Sequence, residues 1–267
     1  MLKTRIFSAL IMAPPTLAAV YFGGLWFLLL LALTGAVMGW EWVRLCRGGV
    51  RGTDWMVPPL MALAGVFGGF DPLWVITGLL SATGILWGYQ PAGQCRDGSP
   101  HGSRWVALGL SYWGIPLVCL AWIRQQGGWE TAYWILAVVW ATDIGAYAFG
   151  RLIGGPKLAP GLSPNKTWAG LIGGMLCAFA FGWGGALLVE SKGSVSPWFV
   201  ALAPLLAVVS QMGDLAESGI KRRFDVKDSS NIIPGHGGIL DRVDGLMAIM
   251  PVMALVLAFL GDEMGLY

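Results

Sequence analysis

Apolar runs long enough to cross a bilayer recur from one end of this 267-residue chain to the other, and nothing constrains its fold more. A spanning helix needs about 20 mainly apolar residues. Within hydrocarbon only helices and closed barrels satisfy their own backbone hydrogen bonds. Nine spans are expected on that rule, at 5–22, 25–43, 55–70, 73–89, 105–123, 132–150, 168–189, 197–213 and 245–260. The third is short and carries Pro58 and Pro59, and the Asp71-Pro72 turn into the fourth is tight, so a broken or re-entrant pair is an alternative there. Composition agrees with a membrane protein: 56% of residues are hydrophobic and 12% charged, about half the charge of a soluble domain. The expected fold class is all-α, a polytopic integral membrane protein with about nine transmembrane helices and a cytoplasmic active-site segment between the last two. It forms one integral domain over 1–267, with N-terminal spans in 1–104, middle spans in 105–213, and the cytoplasmic segment plus the last span in 214–267.

Charge placement tests that count. With a cytoplasmic N-terminus, the cytoplasmic face receives fifteen of the seventeen Lys and Arg residues, and only Arg124 and Lys192 fall outside, as the positive-inside rule requires. A miscount by one span would scatter them over both faces. The start, Met1 to Arg5 and an apolar run, resembles a signal peptide but lacks a small-x-small cleavage site, so a retained first helix is expected. Cys46, Cys95, Cys119 and Cys177 are far apart, with neither a CxxC pair nor a nearby His, which suggests no zinc site and no disulfide framework. Gln90 to Arg104 is expected to be a plain cytoplasmic loop, and Gly261 to Tyr267 to lie outside.

The longest polar interval runs from Asp214 to Asp244 and holds six of the fifteen acidic residues. A helix continuing out of the eighth span puts Asp214, Glu217, Ser218 and Lys221 at i, i+3, i+4 and i+7, on one face. Such oxygen ligands suit a hard cation such as Mg²⁺; a solvated face with an ion pair is the plainer alternative. Lys221, Arg222, Arg223 and Lys227 form a basic cluster that is either topogenic or attracted to anionic headgroups. Pro234 to Gly238 breaks the helix, and its glycines allow backbone N–H groups to converge on an anion, with His236 as a further donor. Asp241 and Asp244 lie one turn apart where the last span begins, as helix caps or, with Asp214, as the carboxylates that hold a metal against phosphates. Arg242 could neutralise phosphate charge there.

Two further places stand out. Asp143 lies inside the sixth span, where an ionisable residue is a candidate functional group. Ser163-Pro164-Asn165-Lys166-Thr167-Trp168 has a helix-start pattern, from which Lys166 could reach phosphates or simply snorkel.

The run Ser218-x-Ile220-Lys221-Arg222, then Lys227-Asp228-x-Ser230, then Ile232-x-Pro234-x-His236-Gly237-Gly238-Ile239-x-Asp241-Arg242-Val243-Asp244 resembles the signature of phosphatidate cytidylyltransferases, the CDP-diglyceride synthases. The likeness extends to Asp143 with Gly150-Arg151, to residues 163–170, and to Asp214-x-x-Glu217-Ser218. Asn165 and Ala169 depart from the family's usual SPKKTxEG, which removes a carboxylate near Ala169 and leaves Lys166 in place. The resemblance implies transfer of a cytidylyl group from CTP to phosphatidate, giving CDP-diacylglycerol and pyrophosphate. It implies Mg²⁺, with a monovalent cation such as K⁺ as an option, a homodimer, and a bacterial inner-membrane location with the site facing the cytoplasm. Asp214 and Asp241 would be the principal metal ligands, with Asp244 beside them. Lys221 and Lys166 would join Asp241 in catalysis. Ser218, Arg222, Arg223, Lys227, His236, Gly237, Gly238 and Arg242 would bind substrate, and Asp143 and Glu217 are further candidates. The partners are CTP, phosphatidate and the lipid bilayer, with no nucleic acid. The competing readings are a CTP-dependent enzyme acting on another membrane lipid and a secondary transporter. The missing inverted repeats weigh against the transporter.

Overall fold

The computed structural model describes residues 2–89, 95, 96, 98, 102–189 and 197–261. Most of the expected loop at 90–104, Lys192, and the C-terminal residues after Gly261 lie outside them. Among the described residues there are nine α-helices: α1 (Leu2–Phe22), α2 (Gly24–Arg47), α3 (Val57–Phe67), α4 (Pro72–Tyr89), α5 (Gly102–Gln126), α6 (Gly128–Leu152), α7 (Trp168–Val189), α8 (Pro197–Arg223) and α9 (Leu240–Leu260). Strands β1 (Lys157–Ala159) and β2 (Ser163–Thr167) form an antiparallel hairpin between α6 and α7. The chain is thus an α-helical membrane protein. Five helical stretches, Gly24–Arg47, Arg104–Gln126, Gly128–Leu152, Val200–Arg223 and Leu240–Leu260, are long and apolar enough to cross a bilayer.

Each expected span coincides with a helix, but α3 is shorter than anticipated. Its 11 residues extend about 16 Å at the α-helical rise, roughly half a hydrocarbon core of about 30 Å. A 3₁₀ turn, Gly52–Met56, takes up the residues before it, and Pro58 and Pro59 fall in its first turn, where their missing N–H groups cost least.

The chain divides into two compact units: 1–125 with 220–243, and 126–219 with 244–267. In the first, α3 lies along α2 so closely that a Cβ on Gly35 would stand 2.6 Å from the Met61 carbonyl oxygen; small residues let helix backbones approach in this way. Leu31, Met38 and Trp42 of α2, Met61 of α3, and Leu110 and Leu117 of α5 are fully buried. The Trp42 indole donates to the Trp105 carbonyl at 2.8 Å. At one end of this unit Arg124 donates to the last carbonyls of α1, Val20 at 2.6 Å and Tyr21 at 3.0 Å, a cation satisfying a helix C-terminus. The Arg96 amide donates to the Cys46 carbonyl at 2.7 Å, and the Ser8 hydroxyl to the Pro234 carbonyl at 2.9 Å. A buried Asp54, paired with Arg47 at 3.5 Å, ties down the turn after α2.

In the second unit α6 and α7 pack along most of their lengths, with Gly145 against the Gly173 carbonyl. The helix start expected at Ser163 is instead strand β2. Thr167 is the cap: its hydroxyl accepts from the Gly170 amide at 3.1 Å, and α7 begins at Trp168. Pro164 and the polar Ser163-Pro164-Asn165 run cannot supply an amphipathic first turn, whereas Thr167 is a good N-cap. All four cysteines are free thiols.

Candidate active site

Helix α8 runs unbroken through Asp214 to Arg223, and its end fixes where the signature begins. Asp225 adopts φ +53°, the Val226 amide donates to the Lys221 carbonyl and the Asp225 amide to that of Arg222. This is the paired closure of a Schellman end, with Asp in the left-handed position usually given to Gly. Phe224 is buried edge-on against Trp105, and Arg223 lies over the same indole at 5.3 Å from its centre. Lys221 is thereby left in the last turn with its side chain directed back into the first unit.

There Lys221 Nζ meets Asp241 Oδ1 at 2.6 Å, with both side chains largely buried. The other oxygen, Oδ2, accepts from the Ser229 amide (2.9 Å), the Ser229 hydroxyl (2.9 Å) and the Gly238 amide (2.8 Å). A carboxylate has about four lone-pair sites, and four donors face this one. Replacing the Ser229 hydroxyl removes one of them. Ser229→Ala is expected to cost about 1 kcal/mol of stability and less than about tenfold in turnover; thermal unfolding and initial rates on the same preparation check both.

A second carboxylate braces the loop from the opposite side, and the sequence reasoning missed it. Glu41, on α2, is fully buried. Its oxygens accept from the Ile239 amide (2.9 Å), the Leu240 amide (2.8 Å) and the Ser230 hydroxyl (2.5 Å). It thus fills the anion position at the N-terminus of α9. The signal was present: an ionisable residue inside an apolar run, the same rule that singled out Asp143.

The glycine turn differs from the nest expected of it. Ile233-Pro234-Gly235-His236 closes by the His236 amide donating to the Ile233 carbonyl at 2.9 Å, with Gly235 at φ +78°. Pro second and a positive-φ Gly third make a type II turn. With the His236 amide bonded to Ile233 and that of Gly238 to Asp241, these two donors serve the loop itself. Gly237 has φ +84°, and a Cβ there would stand 2.6 Å from Asp241 Oδ2. Arg222 and Arg242 are exposed, as is Lys227.

In the second unit Lys166 Nζ pairs with Asp214 Oδ2 at 2.7 Å and lies 3.3 Å from the Gln211 carbonyl, while the Ser218 hydroxyl reaches Asp214 Oδ1 at 3.3 Å. Helices α8 and α9 cross tightly here: a Cβ on Gly213 would stand 2.9 Å from the Asp244 carbonyl oxygen. Asp214, the chain neighbour of Gly213, and Asp244 therefore flank one crossing. Asp214 is the more open of the paired carboxylates, its side chain 37% exposed. Glu217 is buried, and Asp143 lies on an exposed part of α6.

These donors suit Mg²⁺ in chemistry, being hard oxygens. Among the described residues no three of His, Cys, Asp and Glu are grouped closely enough to enclose an ion.

Compared with known proteins, residues 3–260 match the Cytidylyltransferase family. A phosphatidate cytidylyltransferase of Brucella suis biovar 1 is 41% identical over 265 residues, covering 95% of this chain and 92% of that protein. One of Brucella melitensis biotype 1 is 40% identical over the same length. One of Staphylococcus saprophyticus is 42% identical over 151 residues, 56% of this chain and 57% of its own.

Proposed function

Because this chain belongs to the Cytidylyltransferase family, we propose that it acts as these relatives are named, moving the cytidylyl group of CTP onto phosphatidate to give CDP-diacylglycerol and pyrophosphate. The observation that carries the reading is the identity of 41% across 95% of the chain.

A lipid phosphate oxygen attacks the α-phosphorus of CTP in line, a new P–O bond forms, and the bond to the bridging oxygen breaks as pyrophosphate leaves. A phosphomonoester has a second pKa near about 6, so at pH 7 the nucleophile is already largely ionised and needs no strong base. What remains is positioning and charge neutralisation. Lys221 and Lys166 are each oriented by a carboxylate, Asp241 and Asp214 respectively, and stand as the ammonium groups that meet phosphate. Arg222 and Arg242, both exposed, would complete the neutralisation, with Ser218 and His236 as further donors. Mg²⁺ would be held by Asp214 and Asp244, with water and substrate phosphate completing its shell, and would supply charge stabilisation at the leaving phosphates, while Asp241, whose oxygens already serve four donors, orients Lys221.

The reading places the N-terminus and the 214–244 segment in the cytoplasm, at the inner membrane. The contacts of Arg96 with Cys46, Ser8 with Pro234 and Arg124 with Tyr21 each join segments that this topology puts at the same end of the spans. Because α3 is too short to span alone, α3 and α4 enter this topology as a pair, both crossing or both returning, which leaves the charge assignment unchanged. A homodimer belongs to the same proposal, with light scattering in detergent as its check.

Pyrophosphate release by purified protein in detergent, with phosphatidate and each of the four NTPs, tests the activity. Release is expected only when CTP, phosphatidate and Mg²⁺ are present together. No release from folded protein under any combination overturns the reading.

A further inference from the structure

A polar cleft of about 520 Å³ opens beside the last turn of α2, lined by Trp40, Arg44, Arg96 and the 226–232 segment. None of the residues that brace the loop from within explains it. We propose that this cleft seats the phosphomonoester of the lipid substrate, with Arg44 and Arg96 gripping it, a role that rests on the phosphatidate reading above.

Charge is the first argument. Arg44, Arg96 and Lys227 line the cleft against a single acid, Asp228. Among the described residues none of these three cations has a carboxylate partner, whereas Arg47 and Lys221 of the same unit are paired with Asp54 and Asp241. Three cations and one carboxylate leave two positive charges, the complement of a phosphomonoester dianion. A phosphodiester lipid carries only one charge and would be held less well, so the cleft discriminates between substrate and the bulk anionic lipid.

Depth is the second. Gly24–Arg47 is long and apolar enough to cross a bilayer, Arg44 lies in its last turn, and Trp40 stands one turn further in. Trp followed by a basic residue at a span's end marks the headgroup level. That is where a lipid phosphate lies and where the triphosphate of a soluble nucleotide need not. The Arg44 guanidinium stacks over the Trp40 ring at 4.6 Å from its centre, which holds the fork's plane and leaves its edge donors for a bidentate phosphate contact.

Rigidity is the third. The Arg96 backbone is tied to α2 through the Cys46 carbonyl. The cleft's serines, Ser229 and Ser230, are bonded to Asp241 and Glu41, so a lipid phosphate placed here is registered against the Lys221–Asp241 pair through short, fixed links.

The test uses Arg44→Gln and Arg96→Gln, singly and together, with Arg44→Lys and Arg96→Lys as conservative variants, in detergent with dioctanoyl phosphatidate. Both arginines are exposed, so the core is untouched. Each Gln variant is expected to raise the apparent KM for phosphatidate about tenfold, the equivalent of one lost charge-assisted contact. The KM for CTP should stay unchanged, and the Lys variants should recover part of the loss. A rise confined to the KM for CTP would move the nucleotide's phosphates into the cleft, and no change in either constant would empty it; both overturn the proposal. A binding arm separates this from the activity itself. Without CTP or metal, dioctanoyl phosphatidate should raise the unfolding temperature of the wild-type protein more than dioctanoyl phosphatidylglycerol does, and the double Gln variant should lose that difference. If the difference survives in the double variant, the cleft does not hold the lipid phosphate. If wild-type protein shows the difference but releases no pyrophosphate, the cleft stands and the activity reading fails.

Discussion

Asp241→Asn is expected to lower CDP-diacylglycerol formation by at least about a thousandfold while the protein still inserts and purifies. The Asp241 carboxylate receives four donors, Lys221 on one oxygen and Ser229 twice with Gly238 on the other. An amide can present its NH₂ only in place of one of these oxygens, so it faces either the ammonium or two backbone N–H groups and a hydroxyl. Either way donors oppose donors, and the buried ammonium loses its counter-charge. Breaking one side of a buried pair costs about 3–5 kcal/mol, and each 1.4 kcal/mol withheld from the transition state is about tenfold in rate. Pairing the change with Lys221→Met separates fold from chemistry, since removing both partners leaves no uncompensated charge. The double variant should regain thermal stability and stay inactive. Turnover of Asp241→Asn within about tenfold of wild type, in folded protein, would remove Asp241 from the chemistry.

Glu41→Gln should loosen the start of α9. Its two oxygens serve the Ile239 and Leu240 amides and the Ser230 hydroxyl, and a Gln side chain turns one of those acceptors into a donor. An unsatisfied buried N–H costs about 1–3 kcal/mol, so exchange of the 239 and 240 amides with solvent hydrogen should quicken by roughly thirtyfold, the equivalent of about 2 kcal/mol of local opening. Turnover should fall with it, because Asp241 is the second residue of that helix. Unchanged exchange at both amides would show that Glu41 does not hold the helix end.

Much of this arrangement is legible in the chain itself. Long apolar runs read as helices because hydrocarbon leaves the backbone no other partner, and α8 is expected to run on past Asp214 because no Pro lies between Asp214 and Arg223. The hairpin was not legible. Strands of 3 and 5 residues carry no apolar alternation, and a Pro followed by Asn-Lys-Thr looks like the opening of a helix. The Gly-rich turn was legible as a turn but not in its direction, since the acceptor of the Gly238 amide is a side chain three residues on. Glu41 is marked locally as an ionisable residue inside an apolar run, but its partners lie 189–199 residues away, so its role is not legible from the local pattern. The Lys166–Asp214 pair joins residues 48 positions apart, which spacing alone does not reveal.

That long reach has a consequence for how the protein is made. Glu41 leaves the ribosome with α2, yet the amides that neutralise it belong to Ile239 and Leu240. At about 5–20 residues per second, the carboxylate waits on the order of 10–40 s for them. During that interval an acidic side chain near the end of a membrane helix must stay in contact with water or with the insertion machinery. The first unit, which joins residues 1–125 to residues 220–243, therefore closes only late in synthesis, and newly made protein should remain open to proteolysis there until the 220–243 segment has been made.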